Sequence, residues 1–140
     1  MVTFAWPIRV YYEDTDSGGV VYYANYLKFM ERARTEWLRD LGFEQDRLRD
    51  EHGVLFAVHR CEVEYLRPAR FNDELICTAT VKEYRRTALV FDQTVRRGDE
   101  VLTRGVVRVV CLDAARFRPQ PIPEPMMAII PRLMISTDGR

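Results

Sequence analysis

Cysteine is scarce: three in 140 residues, Cys61, Cys77 and Cys111, an odd number set far apart. No CxxC pair occurs, so neither a zinc site nor a disulfide framework is indicated. Each lies in an apolar or alternating context. All three are expected to be buried reduced thiols, because free cysteine behaves as a small hydrophobe. A surplus of one charge is missing too: Lys+Arg 21 equals Asp+Glu 21, with a pI near 6.7. Such a balance gives no electrostatic reason to expect a nucleic-acid or membrane-surface protein. No apolar run approaches the roughly 18 residues of a membrane span, so stable membrane insertion is not expected. The opening MVTFAWPIRVYYED lacks the basic and then apolar regions of a secretory signal. A cytoplasmic location is the resulting expectation.

What is present suits one core. Hydrophobic residues make up 47% of the chain, which fits a globular protein rather than a disordered one. The length predicts a single domain over 1–140, with a proline-rich C-terminal arm over about 119–140. Residues 4–12, FAWPIRVYY, read as a first strand whose Pro7 marks an edge. From about Tyr23 to Leu41 the period changes. Tyr26, Phe29, Met30, Ala33, Trp37 and Leu41 recur at helical spacing, Leu27 and Leu38 widen the stripe, and Gly42 is the stop. So wide a stripe predicts a helix covered from several sides. Glu31 with Arg34, and Arg32 with Glu36, are placed to pair one turn apart. Residues 44–52 are polar enough for a short surface helix or turn.

Four strands are then predicted, Leu55–Leu66, Glu74–Arg85, Ala88–Arg96 and Val101–Asp113, joined by short links as an antiparallel meander. Five of the seven prolines fall between Pro119 and Pro131. They predict an extended arm, a short helix near 124–130 and a frayed STDGR end. The apolar MMAII segment is expected to cap the core. Strand, long helix and four antiparallel strands fit an α+β fold in which a sheet curls around one helix.

One stretch resists a purely structural reading: EDTDSGGVVYY, residues 13–23. Glu13, Asp14 and Asp16 put three carboxylates within four positions, and like charges that close repel. On residue types alone, Asp16 reads as a turn or helix-capping residue. Calcium is disfavoured: D-x-D-x-G lacks the third ligand at EF-hand spacing, and Asn25 stands where the bidentate acid belongs. No metal and no cofactor is expected. Ser17 lacks a nucleophile-elbow context, and His52 and His59 belong to no recognisable dyad.

The segment RVYYEDTDSGGVVYYANYLKFMERARTEWL resembles the signature of the 4-hydroxybenzoyl-CoA thioesterase family of hotdog-fold proteins. It is most similar to the YbgC-like, Tol-Pal-associated acyl-CoA thioesterases. VEYLRPARFNDEL, ALVFDQ and VCLDAARFRPQPIP extend the likeness in order over about residues 6–123. The resemblance implies a five-stranded antiparallel sheet wrapped around a long central helix. It also implies a homodimer or homotetramer joined sheet edge to sheet edge, with active sites between subunits. It assigns Asp16 as the catalytic carboxylate and the Tyr23 backbone N–H as the group that polarises the thioester carbonyl. Related chains more often carry His at the position of Tyr23, which leaves the backbone role intact. Another hotdog branch uses a helical Glu, and Glu31 is the residue here to compare with it; an ion pair is its expected role.

The chemistry fits these residue types. A thiol ionises near pH 8.5 in the cysteine case, so a thiolate leaves without strong acid help. One carboxylate and one oxyanion site then suffice, and a helix N-terminus supplies unpaired, partly positive N–H groups. Gly18, Gly19 and Val20 are assigned to substrate binding, the glycines because no Cβ obstructs approach to their backbone. Arg85 and Arg86, adjacent at an expected hairpin, are candidates for the phosphates of coenzyme A. Two roles fit Asp16: nucleophile through an acyl-enzyme anhydride, or general base for water. The leading expectation is an acyl-CoA thioesterase. The alternatives are an acyl-ACP thioesterase and a non-catalytic acyl-CoA-binding module.

Overall fold

Along β3 (Glu74–Tyr84) the side chains of Leu75, Cys77, Ala79 and Val81 are buried while their neighbours are more exposed. That period of two puts one face of the strand on the core. The same logic shapes the rest of the sheet in the computed structural model, which describes residues 1–134. β1 (Thr3–Arg9) leads into a 3-10 turn (Tyr12–Asp14), then helix α1 (Asn25–Asp40) and a short α2 (Gln45–His52). β2 (Val54–Tyr65), β3, β4 (Ala88–Arg97) and β5 (Glu100–Asp113) follow, and the segment closes with one-turn helices α3 (Glu124–Met127) and α4 (Ile130–Leu133). The fraying expected at 136–140 lies outside the described residues. Among the described residues no helix is long and apolar enough to cross a membrane.

All five strands join one antiparallel sheet in the order β1-β3-β4-β5-β2. β1 is an edge, as Pro7 requires, since proline has no N–H for a second neighbour. The expected four-strand meander holds only for β3, β4 and β5. β2 pairs with β5 instead, from Val54↔Asp113 to Tyr65↔Thr103, because β1 occupies the free side of β3. The link from Leu66 to Asp73 must therefore cross about 14 Å of sheet, well within the reach of eight extended residues. Its path runs over the start of α1, where the Tyr26 hydroxyl accepts the Ala69 N–H at 3.0 Å.

α1 lies against β1, β3 and β4. Phe29, Met30, Ala33 and Trp37 are buried, and Trp37 meets Phe91 edge-to-face at 5.0 Å. Gln93, 1% exposed, fastens helix to sheet: its Nε2 donates to the carbonyls of Met30 (3.0 Å) and Thr78 (3.2 Å). Gly42 follows the helix with φ +95°, as expected of the stop. The long helix with the sheet around it is the hotdog arrangement that the resemblance implies.

Three local expectations fail, two of them because side chains on the β2 side of α1 face an open edge. Leu27 is exposed, so the helix is not covered all round. Arg34 turns inward to donate to Gln93 Oε1 at 2.9 Å rather than pairing with Glu31, and the helical ion pair that forms is Glu36–Arg39. Cys77 and Cys111 are buried thiols, but Cys61 on edge strand β2 is exposed. At the C-terminal end, Met126 and Ile130 cap the core as expected, on two short helices rather than one.

Candidate active site

The acidic stretch folds into two nested turns. In the first, Asp14 N–H donates to Tyr11 O (3.0 Å), and the buried Asp14 carboxylate accepts Tyr11 N–H at 2.8 Å. The Asp14 carbonyl then receives Tyr22 N–H (2.9 Å) and the side-chain amide of buried Asn25 (2.9 Å). Asp14 thereby ties the loop to the start of α1, and its charge is held by a backbone N–H rather than offered to a ligand.

The second turn presents Asp16. Thr15 pairs with Val21, Asp16 N–H donates to Val20 O (2.9 Å), and Gly19 N–H donates back to Asp16 O (3.0 Å). Gly19 has φ +79°, a conformation that favours glycine. Asp16 Oδ1 accepts Gly18 N–H at 2.8 Å, and a Cβ on residue 18 would stand only 3.2 Å from that oxygen. The carboxylate is exposed, and Oδ2 has no protein partner among the described residues. One oxygen is thus fixed while the other faces solvent.

The crossover between β2 and β3 clamps this ribbon against the helix. Val20 bridges to Arg70, and Val21 N–H donates to Ala69 O at 2.8 Å. Tyr26 beneath it is buried, which pushes its phenol above its ordinary pKa, and the Ala69 N–H on its oxygen acts the other way. At the helix entry Asn25 N–H donates to Tyr22 O (2.8 Å). The N–H groups of Tyr23 and Ala24 have no acceptor among the described residues. Both belong to the positive end of the helix.

Asp16, Gly18, Gly19, Val20 and Tyr23 are therefore brought to one end of α1. Arg85 and Arg86 are not with them. They occupy the β3–β4 turn, whereas the loop adjoins the other end of β3 near Glu74, about 30 Å away along the strand. Arg85 pairs there with Glu83, and the Arg86 carbonyl accepts Ile122 N–H. Ser17, His52 and His59 are exposed, and none makes a side-chain hydrogen bond among the described residues. Two groups that residue types did not single out enter the site: the Ala24 amide, and Tyr65, whose hydroxyl donates to Tyr23 O at 3.1 Å. Tyr65 stood inside VEYLRPARFNDEL, but as a strand residue.

From the helix start a cleft runs between α1 and β2, past Leu27, Met30, Glu31, Val58 and Cys61. It borders a cavity of about 130 Å³ walled by Trp37, Leu38, Phe56, Leu89, Phe91 and Met126. Arg34 faces both and is pushed below its ordinary pKa by burial, with Glu31 opposing that. An exposed carboxylate, unpaired amides and an apolar channel can hold an acyl group, polarise its carbonyl and deliver a nucleophile to it.

Known proteins carry the same frame. The chain is 41% identical over 125 residues to the acyl-CoA thioesterase YbgC of Haemophilus influenzae, covering 89% of this chain and 92% of that one. It is 45% identical over 126 residues to the acyl-CoA thioester hydrolase YbgC of Escherichia coli O6:H1, covering 89% and 93%. Among solved structures, a probable thioesterase from Bartonella henselae superposes with TM-score 0.84 at 30% identity, over 87% of this chain and all of that one. The model of the Thioesterase-like superfamily matches residues 10–130. The protein belongs to that superfamily.

Proposed function

We propose that the protein hydrolyses acyl-CoA thioesters, with Asp16 as the essential carboxylate and the Tyr23 amide as an oxyanion donor. The observation that carries this reading is the pairing, at one helix end, of a reactive carboxylate oxygen with amides that lack acceptors. Its support from relatives is that two chains of nearly the same length, over 40% identical, are named as acyl-CoA thioester hydrolases. Gly18, Gly19 and Val20 form the wall along which the thioester reaches Asp16. Loss of one oxyanion donor in other hydrolases costs about 2.7–4 kcal/mol, so this small constellation is sufficient for the task.

The working unit is a homodimer or a pair of dimers joined through β2. Val58, Tyr65, Leu66 and Leu27 leave apolar surface on that edge in a single protomer. Joining two β2 edges antiparallel about a twofold axis sets the β3–β4 turn of one protomer at the loop end of its partner. Arg85 and Arg86 then serve the phosphates of a coenzyme A held at the partner's loop. Free thiols and the substrate class suit a cytoplasmic location.

The test is thiol release from a panel of short, long and aromatic acyl-CoAs, repeated with acyl-ACP. Asp16→Asn is expected to lose at least about 100-fold in kcat while keeping its fold and oligomeric state. Unchanged turnover in Asp16→Asn would sink the assignment.

A further inference from the structure

We propose that Tyr65 is a positioning residue for the oxyanion site, and that it makes the Ala24 N–H a second donor beside that of Tyr23. The inference rests on the thioesterase reading above and adds to it. Tyr65 is the last residue of β2, 42 positions from Tyr23 in the chain, yet its hydroxyl donates to the Tyr23 carbonyl at 3.1 Å. Its ring is held by two edge-on aromatic contacts, with Tyr26 at 5.5 Å and Tyr23 at 6.0 Å. Tyr26 is itself fixed by the Ala69 N–H of the crossover. The phenol is thus aimed rather than left to sweep through solvent.

The carbonyl it holds belongs to the same rigid peptide plane as the Ala24 N–H. Fixing the oxygen fixes the direction of that N–H, and a hydrogen bond accepted at the oxygen polarises the N–H at the other end. Ala24 is already helical (φ −70°, ψ −21°), so its N–H and that of Tyr23 point out of the same helix end. The local backbone leaves room for the phenol: Leu27 N–H donates to Ala24 O at 3.2 Å, so the Tyr23 carbonyl is spared for Tyr65. Burial raises the phenol above its ordinary pKa, helped by Cys61, Tyr23 and Tyr26, and keeps the proton in place as a donor. A negative oxygen developing on the acyl carbon would meet two aligned donors, one reinforced from β2.

The experiment compares Tyr65→Phe and Tyr65→Leu with the wild type on one good acyl-CoA substrate. Phenylalanine keeps both ring contacts and removes only the hydroxyl. The expected result is a fall in kcat of about ten-fold, smaller than the loss of a whole oxyanion donor, with KM within about two-fold. Tyr65→Leu should lose at least as much. The pH profile of kcat should keep its shape in Tyr65→Phe. Full kcat in Tyr65→Phe, or a loss confined to KM, would overturn the proposal. A vanished alkaline limb would also overturn it, by making the phenol a proton donor to the reaction. If the wild type releases no thiol from any acyl-CoA, the thioesterase reading fails first; if it does, and Asp16→Asn is dead while Tyr65→Phe is fully active, only the role of Tyr65 fails.

Discussion

Adding one methyl group at Gly105 should loosen the seating of α1 on the sheet. Gly105 lies in β5 opposite Val63 of β2 and Gln93 of β4. A Cβ there would stand 2.9 Å from Met30 Cε and 3.0 Å from Met30 Sδ. Carbon atoms are at ease near 3.5–4.0 Å, so the overlap is about 0.6–1.1 Å. Met30 is fully buried, so its flexible thioether end must repack within the core or toward the adjoining cleft. Its helix is also pinned, because Gln93 holds the Met30 carbonyl. Overpacking of this kind costs about 1–3 kcal/mol, and the stiffer unfolded chain of alanine offsets about 0.4–1 kcal/mol of it. Gly105→Ala is therefore expected to be about 1–2 kcal/mol less stable, a fall in Tm of about 3–10 °C. Thermal and urea unfolding at matched protein concentration would measure it. The same substitution in a Met30→Ala background, which removes both clashing atoms, should cost at least about 0.5 kcal/mol less. An equal cost in both backgrounds, or a stabilised Gly105→Ala, would refute the account.

Two further outcomes test the buried thiols and the open edge. Burial raises Cys77 from 9.0 to about 12 and Cys111 from 9.0 to about 11. Unfolded thiols ionise from pH 9 upward while the folded ones stay neutral, so their contribution is intact below pH 9 and is lost as pH climbs toward 11 and 12. The slope reaches about 1.4 kcal/mol per pH unit for each thiol; urea midpoints at pH 8, 9 and 10 should fall, and Cys77→Val should flatten the decline. Val58→Lys puts a charge on the exposed apolar part of β2. It should shift the protein to monomer in light scattering and reduce thiol release at least about ten-fold; a fully active monomer would exclude a site shared between protomers.

Much of the fold was readable because its signals are local. α1 announces itself by apolar spacing and by Gly42, and β3, β4 and β5 by alternation and short turns. The place of β2 was not readable in this way. A strand's own residues specify which face is buried, not which neighbour it will choose, and β2 reaches β5 only because β1 has closed the other side of β3. The exposure of Leu27 and Cys61 follows from that same placement. Each sits toward the edge that β2 leaves open, where local periodicity carries no information about cover.

The site divides along the same line. Asp14, Asp16 and the helix start lie within a dozen residues, so one motif exposed them together, and the turns that separate the buried Asp14 from the exposed Asp16 carboxylate are made by neighbours in sequence. Tyr65 and Ala24 gave no such signal. A tyrosine on an alternating strand is ordinary, and an alanine amide has no side chain to draw attention. What makes them matter is the crossover, which carries the chain from β2 to β3 over the start of α1 and leaves the phenol against the Tyr23 carbonyl. The same argument limits Arg85 and Arg86. Within one protomer they sit at the far end of β3, so any part in binding coenzyme A requires a second protomer turned end for end. Mixed dimers make that requirement measurable. If one protomer carries Asp16→Asn and the other carries Arg85→Ala with Arg86→Ala, the only intact carboxylate faces its partner's intact arginines. Its KM should stay that of the wild type while the homodimer of the arginine variant shows a raised one, and a mixed-dimer KM as high as that homodimer's would remove both arginines from the partner's site.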